Sequence, residues 1–211
     1  MSWITEHLQH FNTQIIPRKL HIITGDTPPD YVIEYIAQWK ALMPDWEIRH
    51  WKDENVTEEE FPPDIVEKIK SCEKGAQRAD IMRYFIVEKH GGFYVDSDVK
   101  PHRSLEPLRF MSADIILCHD NIVEWEYIIN AFFGGVAHHP LLQHACEMAR
   151  NAQLNTGDIH FKTGPHLWGI AVSQVPPPDG KKYMLLPTEY FYVNEWNDNR
   201  FAQHLYAASW R

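Results

Sequence analysis

Apolar residues along this chain recur in two periods. Lys19-Leu20-His21-Ile22-Ile23-Thr24 is a short β-branched run stopped by Gly25-Asp26-Thr27-Pro28-Pro29, which predicts a strand entering a loop. Val32, Ile36, Trp39 and Leu42 or Met43 follow at near-helical spacing and predict a helix over 31–43. Trp46-Glu47-Ile48-Arg49-His50-Trp51 then alternates as a second strand. Residues 58–70 begin acidic and end basic, as a helix dipole favours. The strongest helix signal is 75–90, with Gly91-Gly92 as its stop. Phe93-Tyr94-Val95, 114–118 and 183–187 read as strands and 141–152 as a helix, with a further apolar run at 131–136. The strand-helix-strand opening predicts an α/β nucleotide-binding half. Pro176-Pro177-Pro178-Asp179-Gly180 reads as a turn rather than a linker, so one domain is expected over residues 1–211.

Composition narrows this picture. The chain has 211 residues with 44% hydrophobic content, enough for one real core. Its net charge of -9 argues against nonspecific binding to nucleic acid, which relies on Lys and Arg. A phosphate ligand would then need another source of positive charge, such as a divalent cation. No apolar stretch reaches the roughly 18 residues of a membrane span, and no apolar run follows a basic head at the start. Cys72, Cys118 and Cys146 are widely spaced, without a zinc or disulfide framework. The expectation is a soluble, cytoplasmic chain with no membrane segment. GxGxxG after the first strand and GxxxxGK[ST] are both absent, which excludes a Rossmann fingerprint and a P-loop. His138, His139 and His144 lack a carboxylate or cysteine at a zinc spacing and are assigned to a loop and a helix start.

The chemistry concentrates in Gly91-Gly92-Phe93-Tyr94-Val95-Asp96-Ser97-Asp98-Val99. Side chains alternate along a strand, so Asp96 and Asp98 share one side if the extension persists through Ser97. Like charges held that close favour a cation between them, and oxygen ligands suit Mg²⁺ or Mn²⁺. Val99-Lys100-Pro101 lacks the next ligands of an EF-hand loop, and Lys100 departs from the aspartyl-phosphate phosphatase pattern. Asp80 and Arg83 sit three apart on the preceding helix; taken alone they read as a surface ion pair.

Ala79-Asp80-Ile81-Met82-Arg83-Tyr84 together with the 91–99 segment resembles the DXD sugar-binding region of family 32 glycosyltransferases. Those relatives include yeast-type initiating mannosyltransferases and, more distantly, the glucosylating domains of clostridial toxins. Ile16-Pro17-Arg18-Lys19-Leu20-His21, Gln38-Trp39-Lys40, Pro44-Asp45-Trp46-Glu47-Ile48, Thr163-Gly164-Pro165 and Ser209-Trp210 extend the resemblance over nearly the whole chain. It implies an α/β fold of the GT-A type, a nucleotide-diphospho-sugar transferase fold with a mixed central sheet flanked by helices. It also implies Mn²⁺ or Mg²⁺ bridging the aspartates to a nucleoside diphosphate.

By matching position, Asp80 and Arg83 would face the donor, Asp96 would lie near ribose and metal-bound water, and Asp98 would be the firmer metal ligand. Ile22, Thr24 and Gly25 would hold base and ribose, with Ser97 beside them. His204 or Ser209 would complete the metal or diphosphate site, and Trp210 would cover the donor. The function implied is sugar transfer from a UDP-sugar, or a GDP-sugar, to a hydroxyl of a glycan or glycoprotein, with retention of configuration. The domain is expected to be an intact catalytic unit, whether or not it was cut from a longer protein.

Phe133-Gly134-Gly135 and Trp168-Gly169 are candidates for an acceptor cleft, and Asp120, Asn121, Glu124 or Glu126 for orienting the acceptor hydroxyl. Two rivals use the same residues differently. A metal-dependent phosphohydrolase would release phosphate without an acceptor, and an inactive carbohydrate-binding module would bind saccharide without metal or nucleotide.

Overall fold

The computed structural model describes residues 15–120, 127–154, 158–192 and 199–207. In chain order the elements are β1 (Lys19–Ile23), α1 (Asp30–Leu42), β2 (Glu47–Trp51), α2 (Pro63–Ser71), α3 (Gly75–His90), β3 (Gly92–Asp96) and β4 (Val99–Pro101). They continue with β5 (Ile115–Asp120), β6 (Tyr127–Gly135), α4 (Pro140–Asn151), α5 (Ile159–Lys162), α6 (Pro165–Gln174), β7 (Tyr183–Leu186) and β8 (Ala202–His204). Six strands form a mixed sheet in the order β2-β1-β3-β6-β5-β7; β4 and β8 form a separate ribbon. β1 runs parallel to β2 and β3, β5 runs parallel to β7, and β6 is antiparallel to β3 and β5.

The period-2 pattern of the strands divides the core in two. Phe93 and Val95 enter one apolar layer with Leu20, Ile22, Phe132 and the α1 residues Val32, Ile36 and Trp39. Tyr94 enters the other, with Phe133, Ile115 and residues of α2, α3, α4 and α6. Both faces of the sheet are therefore covered, and α3 is buried over most of its surface, from Ile81 through Val87.

Most predicted elements are present, with shifted ends. The helix expected over 58–70 begins at Pro63, because Pro62-Pro63 places a proline at its first position, where a missing N–H costs nothing. The double glycine after α3 has a steric cause. Gly92 has φ +101°, and a Cβ there would lie 2.7 Å from the Lys19 backbone oxygen, so a side chain would wedge β3 from β1. Phe133, Gly134 and Trp168 are packing residues rather than an acceptor cleft. Phe133 and Trp168 are fully buried with ring centroids 4.7 Å apart, and a Cβ on Gly134 would fall 2.4 Å from the Phe93 ring. The three cysteines are free and buried. Among the described residues, no helix is long and apolar enough to cross a membrane.

Candidate functional site

The parallel strands β1 and β3 end together, with Ile23 opposite Asp96, and the candidate site lies at that carboxyl edge, where open α/β sheets hold ligands. The strand stops at Asp96; Ser97 and Asp98 form a turn into β4. The extended path that would align the two aspartates is therefore not taken. The turn and the β4-β8 ribbon bring the groups together instead. Ligand atoms of Asp96, Asp98 and His204 all lie within 4.8 Å of one another, the one such group of three among the described residues.

Asp80 and Arg83 are not a surface pair. They are 6% and 4% exposed, and Arg83 Nη2 lies 2.9 Å from Asp80 Oδ1. Asn130 Nδ2 donates to the same Asp80 oxygen at 2.9 Å and to the Tyr84 hydroxyl at 2.9 Å; Thr163 Oγ1 donates to Asp80 Oδ2 at 3.2 Å. Burial raises the Asp80 pKa, with Arg83 opposing and Asp96 adding to the rise. Burial also works against the Arg83 charge, yet Asp96, Tyr94 and Asp80 outweigh it and keep the guanidinium charged. Arg83 Nη1 reaches Asp96 Oδ1 at 3.1 Å and the Asn130 carbonyl at 2.8 Å, and the guanidinium lies over the Tyr94 ring.

Each motif aspartate has one oxygen engaged by the protein and another turned to the cluster. The Tyr94 hydroxyl donates to Asp96 Oδ1 at 2.6 Å, and Oδ2 faces His204 Nε2 at 3.9 Å. The Ala207 N–H donates to Asp98 Oδ2 at 2.8 Å, and Oδ1 faces His204 Nε2 at 3.2 Å. Burial pushes Asp98 up, but the hydrogen bond and charge of His204 and the Ala207 N–H outweigh it and hold the carboxyl below its usual range. Burial pushes His204 down, but its bond to Asp98 and the charges of Asp98, Asp96 and Asp120 hold it above the usual histidine value. Two hard carboxylate oxygens and one imidazole nitrogen, each carboxylate oriented by a further donor, fit Mn²⁺ or Mg²⁺.

The other expected residues are placed unevenly. Thr24 and Gly25 lie at the end of β1 beside the site, Thr24 Oγ1 donating to the Gly25 carbonyl at 2.8 Å and also contacting His50. The Ile22 side chain is core, so any ligand contact there would use its backbone. Ser97 is half-buried in the turn. Asp120 is buried at the end of β5, and the Tyr206 hydroxyl donates to it at 2.9 Å. Ser209, Trp210, Asn121, Glu124 and Glu126 lie outside the described residues. His138 pairs with Glu88, His139 caps α4 through the Leu141 N–H, and His144 contacts Gln174, which accounts for the histidines of that segment. The partner missed from sequence is Asn130. Its signal was one amide inside the apolar run Ile128-Ile129-Asn130-Ala131-Phe132.

Residues 29–117 match the family described as "Glycosyltransferase sugar-binding region containing DXD motif". This segment is a DXD glycosyltransferase region. It covers α1 through β5 up to Leu117 and includes Asp80, Arg83, Asp96 and Asp98. Among similar proteins, inositol phosphoceramide mannosyltransferase 3 of Schizosaccharomyces pombe is 41% identical over 70 residues, 32% of this chain and 19% of that protein. Mannosyl phosphorylinositol ceramide synthase CSH1 of Saccharomyces cerevisiae is 26% identical over 211 residues, 93% of this chain and 53% of that protein. The match thus spans about half the length of the second relative and less of the first.

Two solved structures share the fold. The PaToxG glycosyltransferase has a TM-score of 0.62 at 17% identity, covering 81% of this chain and 76% of that one. The ligand-free glycosyltransferase domain of the YGT toxin has a TM-score of 0.53 at 10% identity, covering 76% and 78%. The fold is of the GT-A type, as the DXD resemblance implied. One expectation is corrected by the relatives. They are named as yeast enzymes that mannosylate inositol phosphoceramide, a membrane lipid, and the cytoplasmic location inferred for this chain is withdrawn.

Proposed function

We propose that this chain is a cation-dependent glycosyltransferase that moves a hexosyl group from a nucleoside diphosphate to a hydroxyl of a glycan or glycolipid. The observation that carries the reading is the convergence of Asp96, Asp98 and His204 beside the Arg83 guanidinium at the carboxyl edge of β1 and β3. Asp96, Asp98 and His204 would hold Mn²⁺ or Mg²⁺, which when bound neutralises charge growing on the leaving diphosphate. Arg83, fixed by Asp80 and the Asn130 carbonyl, supplies a permanent positive charge on the donor side. Thr24 and Gly25 offer backbone groups to the nucleoside.

In the transfer, the bond from the anomeric carbon to the diphosphate oxygen breaks, and the diphosphate leaves with the electron pair. A bond to the acceptor oxygen forms on the same face as its proton passes to the leaving diphosphate. Retention through same-face attack is the stereochemistry expected, since no side chain is placed as a dedicated nucleophile by the sequence reading; NMR of the first-formed product reads it. The names of the fungal relatives point first to a mannosyl donor and to an inositol phosphoceramide headgroup as acceptor. UDP-hexoses remain the other donors to compare.

The test is a calorimetric and thermal-shift screen of nucleoside diphosphates and nucleotide sugars, with Mn²⁺ or with EDTA, on wild type and Asp98→Ala. Binding of one nucleotide that needs Mn²⁺ and is lost in Asp98→Ala is expected. Absence of nucleotide binding under every metal condition sinks the reading, and phosphate release without an acceptor would replace it with phosphohydrolysis.

A further inference from the structure

His204 reaches the site from more than a hundred residues beyond Asp98, on a strand of three residues. Its ladder to β4 pairs Val99 with His204, Lys100 with Gln203 and Pro101 with Ala202, a ribbon too short to be stable by itself. Just past it, residues 205–207 bond back to the site. The Leu205 N–H donates to the Asp98 carbonyl at 3.2 Å, and the Ala207 N–H to Asp98 Oδ2 at 2.8 Å. Two N–H groups two residues apart reach the same aspartate across a backbone bend at Tyr206, whose φ of +50° is a left-handed value uncommon for a residue with a Cβ.

That conformation has to be held by something, and the Tyr206 side chain makes two suitable contacts. Its hydroxyl donates to Asp120 Oδ2 at 2.9 Å, a buried carboxylate anchored at the end of β5 in the main sheet. Its ring centroid lies 4.2 Å from that of His204, which limits rotation of the imidazole.

We propose that Tyr206 is a positioning residue, a latch to Asp120 that holds the 204–207 segment over the two aspartates and so presets His204 and Asp98 for the cation. The inference rests on the cation site of the proposed function. Tyr206 is not itself one of the cation ligands; it acts through His204 and the Ala207 N–H.

The experiment measures Mn²⁺ affinity by calorimetry without any nucleotide, together with amide hydrogen exchange, on the full chain. Tyr206→Phe keeps the ring and removes the hydroxyl. It is expected to weaken Mn²⁺ about tenfold, at the low end of losses from groups that orient ligands. It should also speed exchange at Ala207 while leaving α3 and β3 unchanged. Asp120→Asn keeps an acceptor oxygen and should stay close to wild type. Asp120→Ala should weaken Mn²⁺ at least as much as Tyr206→Phe, and the double variant should lose no more than Asp120→Ala, since both remove the Tyr206–Asp120 contact. Wild-type Mn²⁺ affinity in Tyr206→Phe, or additive losses in the double variant, overturns the latch. Asp98→Ala separates the two levels. If it abolishes Mn²⁺ binding while Tyr206→Phe does not weaken it, the latch alone fails; if it binds Mn²⁺ normally, the cation site fails as well.

Discussion

The Arg83 corner and the His204 corner of the site meet at Asp96 but are built by different means. Arg83 projects from the most buried helix, and its guanidinium is fixed by Asp80, Asp96, the Asn130 carbonyl and the Tyr94 ring, all on α3 or the adjoining strands of the main sheet. His204 stands on a three-residue ribbon and is held by Asp98, the Tyr206 segment, the Tyr192 ring and the Phe191 carbonyl, which accepts from its N–H at 2.8 Å. The first corner is part of the core and cannot loosen without the core. The second is assembled from short segments, β4, β8 and residues 205–207, rather than from a helix of the core. In the proposed transfer the first corner would supply a rigid charge against the diphosphate and the second would orient the cation ligands.

The largest effect should come from breaking the rigid corner. Arg83→Leu leaves Asp80 and Asp96 without their buried counter-charge and is expected to cost roughly 3–5 kcal/mol, read by urea unfolding. An equally stable variant would show that the corner is not structural. Thr163→Val removes one donor to buried Asp80 and should cost about 1–3 kcal/mol by the same assay. His204→Ala should differ from Arg83→Leu in kind, weakening Mn²⁺ strongly while costing metal-free stability about 1.5–3 kcal/mol, the scale of a hydrogen bond between charged groups. A global stability loss as large as that of Arg83→Leu would erase the contrast.

pH sharpens the comparison further. His204 has a folded pKa above its ordinary value, so its ion pair with Asp98 contributes stability that is present below the unfolded histidine pKa and lost as pH rises through the raised one. The lowered Asp98 pKa sets the other limit, with loss on strong acidification. In EDTA, the difference in unfolding temperature between wild type and His204→Ala should therefore shrink from pH 6 to pH 9; a difference that grows would contradict the pairing. The smallest effect expected is from Arg18→Ala, which removes an exposed pair with Glu106 far from both corners and should leave unfolding near wild type, with any change vanishing at high salt.

The sequence carried the rigid corner well because its parts are local. A helix ending in Gly91-Gly92 and a three-residue apolar strand before Asp96 have signals a few residues long. The spacing of Asp80 and Arg83 suggested a surface pair, and the resemblance to DXD enzymes was needed to move them inward. Spacing alone cannot report that Thr163 and Asn130 arrive from 83 and 50 residues away to hold Asp80. The ribbon of β4 and β8 and the helix α6 escaped the pattern reading, the first because three-residue strands have too little period to detect. The shared side inferred for Asp96 and Asp98 assumed extension through Ser97; their convergence comes from a turn and from a histidine a hundred residues later.

That separation bears on the order in which the molecule is made. β1, α1, β2, α3 and β3 can pair as soon as the first hundred residues exist, while Val99 waits for residue 204 before its own partner strand is available. Pairings across so long a loop form late, since the closure entropy must be met before the contact returns anything. A nascent or C-terminally clipped chain would thus present the two aspartates and the buried arginine in a folded sheet, yet lack the imidazole. Cation affinity, measured during refolding, would report completion of the last step rather than formation of the core.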